Sequence, residues 1–77
     1  MDMTLTLGEK IRNLREDANL NQTQLGLAVG MSQRKISYIE RGQYEPCIQD
    51  IAAFCEYFKI SADYLLGIKK GYAYPER

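Results

Sequence analysis

NQTQLGLAVGMSQRKISYIERG, residues 21–42, is the stretch that decides the fold. Asn21 with Gln24 three places on makes a capping box, in which each side chain satisfies a free backbone N–H at a helix start. Leu25, Ala28 and Val29 are the inward residues of that helix by their spacing. Gly30 ends it, because glycine takes positive φ without steric cost. Ser32 then caps a second helix, Ile36 and Ile39 form its buried pair, and Gly42 closes it. Two short helices therefore flank one tight turn, G-M-S.

Short helices joined by so brief a turn cross steeply, which is the helix-turn-helix pattern. The second helix then projects from the body instead of lying in a bundle. A projecting helix fits the major groove of duplex DNA, about 12 Å wide. Its outward residues are Gln33, Arg34, Lys35, Ser37 and Tyr38. Amide and guanidinium groups match base edges, glutamine pairing with adenine and arginine with guanine. Asn21 and Gln22 open the preceding helix, where free N–H groups and the positive end of the helix dipole suit a phosphate. Ser32, Ser37 and Arg41 are the further candidates for phosphate contact.

Outside this unit the pattern stays helical. Thr6 and Glu9 form another capping box, and Leu7, Ile11, Leu14 and Ala18 follow as one apolar stripe. Asn19 is placed to end that first helix in the left-handed region. After the loop Gln43-Tyr44-Glu45 and Pro46, a fourth helix runs from about Cys47 to Phe58. Its broad apolar face is Ile48, Ile51, Ala52, Phe54, Cys55 and Phe58. Ser61 caps a last short helix holding Tyr64, Leu65 and Leu66 before Gly67. No strand period appears. The expected architecture is all-α, with five helices in residues 1–67 and a tail, 68–77, that is extended or associated with a dimer.

The totals narrow the function. Seventy-seven residues make one domain with a small core. Ten Lys and Arg balance ten Asp and Glu, so composition alone gives no reason to expect a nucleic acid. The distribution does. Lys10, Arg12, Arg15, Arg34, Lys35 and Arg41 face only Glu16, Asp17 and Glu40 within residues 10–41, while both flanks are acidic on balance. There is no histidine, so zinc would need both cysteines plus carboxylates, a rare set, and no metal or other cofactor is expected. Cys47 and Cys55 on one helix are separated by about 12 Å of rise, beyond the roughly 7 Å a disulfide spans. No nucleophile stands with a base and no glycine loop cradles phosphate, so an enzyme with a small-molecule substrate is not expected. No apolar run has membrane length, and MDMTLTLGEK lacks the features of a signal peptide. The default setting is the reducing cytoplasm.

Several segments at fixed offsets together resemble the Cro/C1-type helix-turn-helix (XRE) family of phage and bacterial repressors. They are IRNLR in the first helix, LNQTQL opening the second, GMS in the turn, ISYIERG closing the third, and ISADYLLG at the end. The resemblance covers residues 5–67 and implies a lambda-repressor-like domain that binds operator DNA as a symmetric dimer. Carried over, it places Gln33, Arg34, Lys35 and Tyr38 at base-reading positions and Gln22 on a phosphate. Gln43 falls in a loop whose backbone N–H groups meet phosphate in relatives. It also implies an ion pair between Arg15 and Glu40 that braces the first helix against the third. Three residues depart from the pattern: Gly26 where alanine is usual, Leu27 where a polar residue is usual, and Cys47 where serine or threonine caps.

Symmetry is the usual route to doubling a site. Tyrosine is enriched in interfaces, and Tyr57, Tyr64, Tyr72 and Tyr74 gather late in the chain. A homodimer through the fourth and fifth helices and the tail is the expectation, on a palindromic operator. The competing reading is a protein-binding module, such as an antitoxin, or the DNA-binding part of a larger regulator.

Overall fold

The computed structural model describes residues 5–67. The tail assigned above to 68–77, with Tyr72 and Tyr74, lies outside the described residues. Five helices follow in order: α1 (Leu7–Asp17), α2 (Gln22–Val29), α3 (Gln33–Glu40), α4 (Ile48–Phe58) and α5 (Ala62–Leu66). Their starts are set locally. The Thr6 hydroxyl accepts from Glu9 N–H while the Glu9 carboxylate accepts from Thr6 N–H, and Asn21 with Gln24 repeats the exchange. Ser32 and Ser61 cap α3 and α5. At α4 the backbone N–H of Cys47 donates to Asp50 Oδ2 at 3.1 Å, so the cap comes from within the helix. A left-handed residue follows each helix and turns the chain: Asn19 after α1, Gly30 after α2, Gly42 after α3, Lys59 after α4 and Gly67 after α5.

Packing follows from which faces are apolar. Ile11, Leu25, Ile36, Ile39, Ile51, Phe54 and Leu65 form one buried cluster, with Leu7, Leu14, Leu20, Val29, Met31, Cys55, Phe58 and Ile60 around it. Every helix contributes, so α3 is anchored from beneath by Ile36 and Ile39 while α2 and α1 pack along its sides. Burying side chains of this size is worth about 1.5–3 kcal/mol each. Four residues read as inward are not. Ala18, Ala28, Ile48 and Ala52 are exposed. At about 100° per residue, Leu25, Gly26 and Val29 share one side of α2 and Ala28 falls off it. Ala52 is likewise turned away from Ile51, Phe54 and Phe58. Ile48 sits in the first turn of α4, beyond the edge of the core, and Ala18 is already the C-cap of α1.

Two glycines admit a close approach. An added Cβ on Gly26 would run into the Met31 carbonyl oxygen, and one on Gly8 into that of Ile39. Gly26 thus lets α2 close onto the turn that launches α3. Gly8 lets the first turn of α1 sit on the last turn of α3.

Candidate nucleic-acid interface

The outer surface of α3 is set by a chain of hydrogen bonds that begins on α1. Arg15 Nε donates to Glu40 Oε2 at 2.7 Å and Nη2 to Oε1 at 3.1 Å, a two-pronged pair. A third N–H of the same guanidinium reaches the Leu20 carbonyl at 2.8 Å. Gln22 Nε2 donates to Glu40 Oε1 at 3.0 Å, and Gln33 Nε2 donates to Gln22 Oε1 at 2.6 Å. The chain therefore ties both ends of α3 to α1 and to the start of α2. The Glu40 side chain is 3% exposed, and all its oxygens are engaged. The Glu40 hydrogen bond and charge hold the Arg15 guanidinium further into its charged form, against the opposing effect of burial.

On this frame Gln33, Arg34 and Tyr38 face solvent. Gln33 keeps its carbonyl oxygen and one N–H for another partner. The Arg41 guanidinium lies 5.5 Å from the Tyr38 ring centroid, and its Nε reaches the Ser37 carbonyl. Asn21 and Ser32 are exposed, while Gln22 and Ser37 are half-buried. The oxygens of Asn21 and Ser32 accept from Gln24 and Lys35 N–H as caps. The N–H groups of Gln22 and Thr23 fall in the first turn of α2, where a helix offers no partner of its own.

Two groups of the expected site are engaged within the molecule. Lys35 does not present its ammonium beside Arg34. It is 3.0 Å from Asp50 Oδ1 on α4, and 5.1 Å from the Tyr44 ring centroid. A carboxylate and a ring face are a stronger draw than solvent for a chain rooted in the first turn of α3. At the loop after α3 the first two backbone N–H groups are already used: Gly42 donates to Ile39 and Gln43 to Tyr38. The exposed side chain of Gln43 remains for a ligand.

The basic middle of the sequence is also thinner on the surface than in the sequence. Lys10 donates to the Tyr64 carbonyl at the end of α5 at 2.8 Å and stacks over its ring. Arg12 pairs with Glu16, Arg15 with Glu40 and Lys35 with Asp50. Lys10, Arg34 and Arg41 are the cations of that stretch left without an ion pair among the described residues, and of these Arg34 has no partner side chain or carbonyl. Asp50 and Tyr44 were not foreseen as parts of this site. Asp50 carried one signal, its place three residues after Cys47, but nothing local linked it to Lys35.

Among the described residues no group of three or more Cys, Asp or Glu is placed to hold a metal ion. No described helix is long and apolar enough to cross a membrane.

Comparison with known proteins supports one assignment. The chain is 38% identical over 63 residues to Repressor protein C2 of Salmonella phage P22, covering 82% of this chain and 29% of that protein. The crystal structure of the P22 c2 repressor with synthetic operator 9T superposes with a TM-score of 0.77, at 38% identity, over 82% of this chain and 96% of that one. The restriction-modification controller protein C.AhdI from Aeromonas hydrophila gives a TM-score of 0.72 at 25% identity, over 78% and 91%. The family model described as "Helix-turn-helix domain" matches residues 6–65, and the chain belongs to that family.

Proposed function

We propose that this chain binds double-stranded DNA in a sequence-specific manner and represses transcription, acting in the cytoplasm as a homodimer on a palindromic operator. One observation carries the reading. Gln33, Arg34 and Tyr38 stand outward on a helix pinned at both ends by the Arg15–Glu40–Gln22–Gln33 chain. Groups that read base edges need such fixing, because loosely held amides and guanidinium groups discriminate poorly between bases. The likeness to a repressor solved with a synthetic operator supports the same docking.

In this reading Gln33, Arg34 and Tyr38 select bases. Asn21, Gln22, Ser32, Ser37, Arg41 and the Gln43 side chain fix register on phosphates. Lys35 braces the helix. The dimer seam is the apolar surface of Pro46, Ile48, Ile51, Ala52, Ala62 and Leu66, which lines a cleft at the α4–α5 end. Two copies would set their third helices about 34 Å apart, one turn of duplex.

Selection from a random duplex library, with sedimentation of the protein alone and bound, tests this. Enrichment of a palindrome with half-sites one helical turn apart, bound by two copies, is expected. Failure to enrich any sequence over random duplex would reject the reading.

A further inference from the structure

We propose that Asp50 is a specificity-determining residue, which holds the half-buried Lys35 side chain against α4 and so withholds a sequence-blind cation from the DNA-facing surface of α3. The inference rests on the DNA-binding reading above and adds a role for a residue on a different helix.

Lys35 stands in the first turn of α3, next to Arg34. The N-terminal turn of a recognition helix is the part that meets the groove. A free lysine there would attract phosphate on every sequence alike, raising non-specific and specific affinity together. The geometry prevents this. Asp50 Oδ1 takes the ammonium at 3.0 Å, while Oδ2 accepts the Cys47 N–H at 3.1 Å, so the carboxylate is fixed from both sides. Its side chain is 9% exposed. Tyr44 offers its ring face to the same ammonium at 5.1 Å. An incoming phosphate would have to extract the lysine from a rigid, largely desolvated partner. The reading surface is left to Gln33, Arg34 and Tyr38, whose contacts depend on base identity.

Asp50→Asn is the direct test, since the amide keeps the shape and can still accept from Cys47. Binding to a random-sequence duplex and to the selected duplex is followed by fluorescence anisotropy across salt, with folding checked by circular dichroism. Each phosphate neutralised steepens the slope of log affinity against log salt by about 0.9. Asp50→Asn should steepen the slope by about that amount per bound copy. It should raise affinity for random duplex and narrow the ratio between selected and random sites about threefold or more. Lys35→Met should leave the wild-type slope in place whatever it does to absolute affinity, and should cancel the Asp50→Asn gain in the double variant. An unchanged slope in Asp50→Asn, or a slope reduced by about 0.9 in Lys35→Met, overturns the proposal. Either variant decides alone if the other does not fold. Wild-type protein that binds no duplex at all would instead remove the DNA-binding reading beneath it.

Discussion

Arg15 on α1 and Glu40 on α3 are joined by two hydrogen bonds, of 2.7 and 3.1 Å, across twenty-five positions of sequence. The Arg15 side chain is 12% exposed and that of Glu40 only 3%. Removing one partner of a buried pair strands the other charge, which costs about 3–5 kcal/mol, whereas replacing both with apolar residues is often neutral. Glu40→Ala should therefore lower unfolding free energy by about 3 kcal/mol in urea titration, and Arg15→Met/Glu40→Leu should recover most of the loss. A Glu40→Ala variant as stable as wild type would show the pair to be incidental.

Gly8 supplies a second long-range constraint. A Cβ there would lie 2.6 Å from the Glu40 carbonyl oxygen and closer still to that of Ile39. Alanine gains up to about 1 kcal/mol in helix propensity over glycine. Forcing α1 off two backbone carbonyls costs more, about 1–3 kcal/mol for overpacking of this kind. The clash should win, so Gly8→Ala should lower the melting temperature. A higher melting temperature would mean that α1 shifts freely.

Local signals in the sequence were reliable and distant ones were not. The boxes at Thr6–Glu9 and Asn21–Gln24, and the left-handed Asn19 and Gly30, depend on residues a turn apart, so the sequence spells them out. Ile36 and Ile39 were readable because one helix face must be buried. Arg15–Glu40 could be anticipated only from the family resemblance. Lys35–Asp50 and Lys10–Tyr64 depend on where α4 and α5 come to rest, and no periodicity encodes that. Short α2 is apolar on several sides, and for that reason Ala28 was misplaced.

Acid should expose the Lys35–Asp50 pair. Burial alone would push the Asp50 carboxyl up, but the Lys35 ammonium and the Cys47 N–H together hold it below its ordinary value. A depressed folded-state pKa gives stability that is present above the unfolded value of about 3.9 and is lost as pH falls through the folded value. Lys35 is shifted upward, chiefly by its hydrogen bond to Asp50. Its share is present below about pH 10.4 and is lost only as pH rises through its raised value. Urea midpoints at pH 7, 4 and 3 should fall less in Asp50→Asn than in wild type. Parallel declines would assign the acid sensitivity to other carboxylates.

Ile48, 86% exposed at the start of α4, tests the proposed seam. Since it contributes little to its own core, Ile48→Glu should leave monomer stability within about 0.5 kcal/mol of wild type. Sedimentation should nonetheless show monomer at concentrations where wild type pairs. Undiminished pairing in this variant would place the seam elsewhere.

The central claim is that α3 reads bases through its exposed face, and Arg34 tests it most directly. Arg34 is exposed in the first turn of α3. Affinities of wild type and Arg34→Ala are to be compared on the selected duplex, on each of its single-base variants, and on random duplex. The account predicts a loss of about 1–3 kcal/mol on the selected site, with discrimination relaxed at one base pair of each half-site. Equal losses on selected and random duplex, with the base preference intact at every position, would contradict it.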